Sequence, residues 1–154
     1  MKASKILVAG LALLSAVIST TALATDDTIT KTASPGSMLV LSNGGVSLSQ
    51  FGLTSSDFPS GTGTKTKTLT GIDWQTTWYP EAIGETLELC YFRPYSSTEV
   101  GCRPIPPNSS GTINDFNNQR FGNGAKVIIY HRAEDGSRVL QPAGQDTVTY
   151  HYSY

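Results

Sequence analysis

Charge is scarce in this 154-residue chain. Asp, Glu, Lys and Arg supply 15% of it, against about 25% in ordinary soluble domains, and Ser and Thr carry the missing polarity. No run of Lys or Arg is present to release counterions from a phosphate backbone, so no nucleic-acid partner is expected. Cofactor fingerprints are missing as well. There is no phosphate-cradling Gly-x-x-x-x-Gly-Lys-Ser/Thr, no dinucleotide-type Gly-x-Gly-x-x-Gly between a strand and a helix, and no Gly-x-Ser-x-Gly nucleophile elbow. Histidine occurs only twice, and two histidines alone do not make a zinc centre, which draws three or four ligands, while the two cysteines are expected to pair with each other and so are not free to join them. No cofactor, metal or catalytic residue is therefore expected. Apolar residues recurring at helical spacing are almost absent, which argues against an α-helical fold.

What the chain does have begins at its start. Lys2 and Lys5 precede an apolar run over residues 6–18, and small residues close on Ala22-Leu23-Ala24. A basic start, an apolar middle and an Ala-x-Ala end are the parts of a secretory signal peptide. The run is about a dozen residues, short of the roughly 20 that span a bilayer. Residues 1–24 are expected to be removed between Ala24 and Thr25, with no stable membrane insertion afterwards. Taking Lys2 and Lys5 from the eleven basic residues leaves nine against twelve acidic, a net charge of −3. The remaining length suits one domain with a single core. We expect residues 25–36 to be a loose polar segment and residues 37–154 to be that domain.

Thr, Val, Ile and Tyr recur in period-two alternation, the pattern of half-buried strands. Residues 38–41 and 46–51 read as strands joined at Asn43-Gly44-Gly45, whose residues tolerate positive φ in a tight hairpin. Residues 54–64, rich in Ser, Gly, Thr and Pro, read as a long surface loop. A strand over residues 66–74 is interrupted by Gly71, which suggests a bulge. Residues 86–92 form the clearest strand, with Leu87, Leu89 and Tyr91 on one face and Glu88, Cys90 and Phe92 on the other. Residues 100–103 return antiparallel to it until prolines 104, 106 and 107 end the ladder. Residues 113–121 suggest an irregular connection with a strand at one end. Residues 126–132 form a strand, residues 134–137 a hairpin turn into Val139-Leu140, and residues 147–152 a last strand with Val148, Tyr150 and Tyr152 on one face. Seven or eight short strands separated by turns make an all-β, small antiparallel β-sandwich.

Folding the hairpin about Ser96 sets Cys90 across from Cys102 and Phe92 across from Val100. Opposed residues of neighbouring strands lie within reach of a disulfide, and an exported domain meets an oxidising compartment. The crosslink closes a loop of about a dozen residues, worth about 3 kcal/mol on loop entropy. A redox role would want Cys-x-x-Cys spacing or an adjacent His or Lys, and neither is present.

Other candidates for chemistry are few. His131 and His151 would approach if their strands pair, but read most simply as partly exposed strand residues. Asp73 with Glu81 or Glu85 offers carboxylates for glycoside hydrolysis, although isolated carboxylates at loop edges are usually solvated. Trp74 is expected in the core. Trp78 and Tyr79, before Pro80, form the aromatic pair suited to stacking on a glycan or anchoring a protein partner. The tyrosines at 150, 152 and 154 raise the option of a terminal strand that pairs with another chain.

The stretch from Leu69 to the C-terminus resembles the periplasmic flagellar protein FlhE family. The matching features are Ile72 and Trp74, the run Thr86-Leu87-Glu88-Leu89-Cys90, Cys102, and Ser110-Gly111-Thr112. A strand around residues 127–130, a turn at Gly136, residues 140–142 and Val148-x-Tyr150 continue the likeness, and Gly45-Val46-Ser47 with Ser60-Gly61 echo its start. The chain departs from the family in a longer polar N-terminal stretch and in an insertion over residues 91–98 between the cysteines. The resemblance implies a periplasmic, non-enzymatic β-sandwich whose protein partner belongs to the flagellar export apparatus, and which supports secretion or limits proton leakage. Two other readings stand beside it. A secreted or cell-surface adhesin or fimbrial-type subunit is one, although such subunits carry tyrosine next to last where this chain has Ser153. The other is a carbohydrate-binding or lysozyme-inhibitor module that uses Trp78, Tyr79 and the loop at residues 60–64.

Overall fold

The computed structural model describes residues 24–136 and 138–154. The expected signal peptide falls almost wholly outside the described residues. Ala24 and Thr25, on either side of the expected cut, are both exposed and lead directly into the first strand. Among the described residues no helix is long and apolar enough to cross a membrane.

The fold is an antiparallel β-sandwich. One sheet is built from β1 (Asp26–Ala33), β4 (Lys67–Gln75), β8 (Ser110–Ile113), β9 (Arg120–Phe121) and β13 (Asp146–Ser153), in the order β1-β13-β4-β8 with β9 also on β4. The other holds β2 (Met38–Leu41), β3 (Gly44–Gly52), β6 (Thr86–Phe92), β7 (Glu99–Ile105), β10 (Lys126–Ala133) and β12 (Val139–Leu140), ordered β12-β2-β3-β10-β6-β7. A two-stranded ribbon joins β5 (Ala82–Ile83) to β11 (Asp135–Gly136). The thirteen strands among the described residues exceed the seven or eight read from the sequence. The excess is mostly in two-residue bridges, too short to show a period.

Alternation decides which side chains meet between the sheets. Along β13, Asp146, Val148, Tyr150 and Tyr152 all point inward and are buried. Leu87, Leu89 and Tyr91 of β6 and Val127 and Ile129 of β10 face them from the second sheet. The Tyr150 hydroxyl, fully enclosed, donates to Phe51 O at 2.6 Å and accepts from Val127 N–H at 2.9 Å, satisfying its polar atom in the middle of the core. Trp74 packs in this core as expected. Gly111 makes room for it, since a Cβ there would lie 2.7 Å from Trp74 Cζ2.

The loose N-terminal segment expected over residues 25–36 is not loose. Its residues 26–33 form β1, an edge strand paired with β13 throughout, Asp26 to Ser153 and Ala33 to Asp146. Its Thr-rich sequence buries little, so no apolar pattern announced it. β13 therefore lies between β1 and β4, and its tyrosines pair inside the domain rather than offering an edge to another chain. The β7 ladder runs through Pro104, opposite Glu88, to Ile105. Proline is tolerated because β7 is an edge and the missing N–H would face solvent. Val139-Leu140 does not fold back on β10; it crosses to pair with β2. The bulge expected near Gly71 is present, with Thr70 skipped between His151–Gly71 and Tyr152–Leu69.

Cys90 and Cys102 are opposed in the β6–β7 ladder and joined by a disulfide, with Cα atoms 4.0 Å apart. The ladder shifts by one residue beyond Tyr91, so Phe92 pairs with Glu99 instead of Val100. The bridge sits on the outer face of the second sheet beside Phe92 and Ile128.

Candidate functional site

Four polar side chains buried between the sheets form the most concentrated chemistry in the described residues. His131, on the inward face of β10, is fully enclosed. Its Nδ1 lies 3.0 Å from Glu85 Oε1 and its Nε2 2.9 Å from Asp146 Oδ2. Ser49 donates to the same Asp146 oxygen at 2.6 Å, and Thr77 N–H donates to the other at 2.7 Å. Tyr79 N–H donates to Glu85 Oε2 at 3.1 Å, and the Tyr79 ring stands edge-on to the imidazole at 5.6 Å. The Tyr79 hydroxyl donates to Gly36 O.

Burial alone would push the His131 pKa down. The hydrogen bonds and negative charges of Asp146 and then Glu85 outweigh it, and the imidazole is held above its ordinary value. With a carboxylate on each ring nitrogen, both must donate, leaving none free to bind a metal or take a proton from a nucleophile. Ser49 donates to Asp146 and not to histidine, so no activated hydroxyl results. The cluster instead ties Asp146 of one sheet to Ser49 and His131 of the other.

The sequence-derived candidates are dispersed by this arrangement. His131 and His151 lie on strands of different sheets and do not approach. His131 is not the partly exposed strand residue expected, because its parity with Val127 and Ile129 turns it inward. His151 pairs on the surface with Asp73 at 2.7 Å, and Thr112 donates to the other Asp73 oxygen at 2.6 Å. Those bonds, Thr112 first and His151 second, hold the Asp73 carboxyl below its ordinary value. Glu85 is committed to His131 and Glu81 is exposed, so the carboxylates imagined as a hydrolytic pair face different surroundings. Trp78 and Tyr79 do not act together: Trp78 is 38% exposed, whereas Tyr79 is 1% exposed and belongs to the core. Tyr79 is withdrawn as a contact residue because its ring and hydroxyl are both engaged inside.

A well-lined recess lies elsewhere, at one end of the sandwich, with a volume of about 550 Å³. Three loops wall it: residues 55–67 before and into β4, the turn at Pro94-Tyr95 between β6 and β7, and residues 120–123 leading to β10. The first of these is the long loop expected from composition, but it is fastened down. Phe58 inserts edge-on to Phe121 at 5.8 Å and to Tyr152 at 5.6 Å. Asp57 accepts from Thr54 N–H at 2.7 Å and pairs with Lys31 at 2.6 Å. Lys65, Lys67 and Arg120 line the cleft, and no acidic side chain does. Sequence reasoning found the loop at residues 60–64 and missed Tyr95 and the three cations, which come together only in space.

Compared with known proteins, the chain matches no family model and no curated protein. Among solved structures, a crystal structure of FlhE aligns with a TM-score of 0.51 at 14% identity, covering 85% of this chain and 98% of that one. The chain thus shares the fold of FlhE, the likeness read from its strands and cysteine ladder.

Proposed function

We propose that this protein is a non-enzymatic periplasmic accessory of flagellar export, acting on a protein of the export apparatus to assist secretion or limit proton leakage. The observation that carries the reading is the fold likeness to FlhE over nearly the whole of that chain. Two features agree with it. The buried Glu85–His131–Asp146–Ser49 cluster is fully engaged in joining the sheets and has no open face for a substrate. The Cys90–Cys102 bridge suits an oxidising compartment, to which the lysines, apolar run and Ala22-Leu23-Ala24 of the leader would deliver the chain.

Deleting the gene and measuring swimming together with periplasmic pH tests the proposal. Slower swimming or an altered periplasmic pH, restored by a plasmid copy with its leader and not by one lacking residues 1–24, is the expected result. Unchanged motility and unchanged proton balance would rule the reading out.

A further inference from the structure

The cleft at the end of the sandwich is electrostatically unfinished. Lys67 is only 5% exposed, yet its ammonium hydrogen-bonds to backbone carbonyls, Thr62 O and Lys65 O, and lies over the rings of Phe58 and Tyr154, with no anionic partner among the described residues. No carboxylate among the described residues pairs with Lys65, Lys67 or Arg120. A buried ammonium without a counter-charge is costly. Its pKa is lowered by burial first and by the neighbouring charge of Lys65 second. Asp57, beside the cleft in sequence, is already held by Lys31. A recess whose charged lining residues are all cations focuses positive potential and attracts anions, in a chain whose net charge is −1.

The rim supplies the second half of the argument. Tyr95 is 79% exposed, in a chain that buries its other large aromatic rings far more fully. Its backbone sits at φ 57°, a left-handed conformation unusual for a bulky residue. Its ring rests against Gly124, where a Cβ would come within 2.9 Å of Cδ1 and Cε1. Gly124, itself at φ 81°, is thus the floor that lets an aromatic ring stand at the cleft mouth. The same lining carries Ser60, Thr64 and Asn123, hydroxyl and amide groups that can bond a sugar's hydroxyls.

We propose that this cleft binds an acidic saccharide chain, with Tyr95 stacking on a sugar ring and Lys65 and Arg120 pairing with its carboxylates. An acidic peptide is the less suitable occupant. A peptide bound by strand addition needs an open strand edge, and the cleft is walled mainly by loops. Tyr95 lies within residues 91–98, read from the sequence as an insertion relative to the FlhE pattern, and the proposal does not rest on the flagellar reading.

Calorimetric titration of the protein with hexagalacturonate, its methyl ester and hexaglutamate tests the proposal. Binding of hexagalacturonate is expected, at least about tenfold tighter than either of the others, a difference of about 1.4 kcal/mol. Tyr95→Ala, Lys65→Gln and Arg120→Gln should each weaken it about tenfold or more while leaving the melting temperature unchanged, as all three side chains are exposed. Failure to bind hexagalacturonate, equal binding of the methyl ester or of hexaglutamate, or undiminished binding by Tyr95→Ala would each overturn the proposal.

Discussion

Replacing Asp146 with alanine is the most informative perturbation of the fold. Three donors converge on its carboxylate: Ser49 Oγ at 2.6 Å, Thr77 N–H at 2.7 Å and His131 Nε2 at 2.9 Å. All are buried, and truncation would leave a hydroxyl and an amide unpaired and the imidazolium supported only by Glu85. Removing one partner of a buried charge pair costs about 3–5 kcal/mol. For a domain of this size each kcal/mol shifts the melting temperature by roughly 3–4 °C, so a loss of about 10–20 °C is expected. The pH dependence gives an independent readout. The folded pKa of His131 is raised above its ordinary value of 6.5, so between the unfolded and folded values the native state holds the extra proton. Stability from this group is fully present below about pH 6.5 and falls as pH rises through the folded value, by about 1.4 kcal/mol per unit of separation. Denaturant titrations from pH 5.5 to 8.5 should show this decline in the wild type and a smaller one in Asp146→Ala. A cost below about 1 kcal/mol, or an unaltered decline with pH, would refute the view that this carboxylate clasps the sheets.

Other substitutions probe separate parts of the account. Tyr150→Phe removes the hydroxyl shared by Phe51 O and Val127 N–H; orphaning two buried backbone groups should cost about 2–4 kcal/mol in urea unfolding, with no change in secondary structure by circular dichroism. Gly111→Ala forces a Cβ to 2.7 Å from Trp74 and should destabilise by about 1–3 kcal/mol, with a shift in tryptophan fluorescence. Converting both Cys90 and Cys102 to alanine should lower stability by about 3 kcal/mol, most of it reproduced in wild type by reductant.

How much of this could be read from the residues follows from how each signal is encoded. The strand β13 was legible because its side chains alternate, β6 and β10 because they are runs of apolar strand formers buried on both faces, and the Cys90–Cys102 pairing followed from the hairpin those cysteines bracket. β1 was not, since a run such as Thr-Ile-Thr-Lys-Thr buries one residue fully and depends on β13 for its existence. The inward direction of His131 was implied by its parity with Val127 and Ile129, but polarity argued for the surface, and only the partners Glu85 and Asp146 make burial tolerable. β3 reverses the usual pattern: Ser49 points in to meet Asp146, while Val46 and Leu48 point out. Trp78 and Tyr79 looked like a pair because they are adjacent, yet neighbours in extended chain face opposite ways. The cleft escaped the sequence for the complementary reason, since Lys65, Tyr95 and Arg120 are far apart in the chain and are joined only by the sandwich.

The central claim, that this β-sandwich works outside the cytoplasm with its ladder crosslinked, is tested most directly by intact mass spectrometry of the protein recovered from the periplasmic fraction. The account predicts a chain beginning at Thr25 whose mass is lower than that of the dithiol form by two hydrogens. A full-length chain retained in the cytoplasm, with Cys90 and Cys102 both free to alkylate, would contradict it.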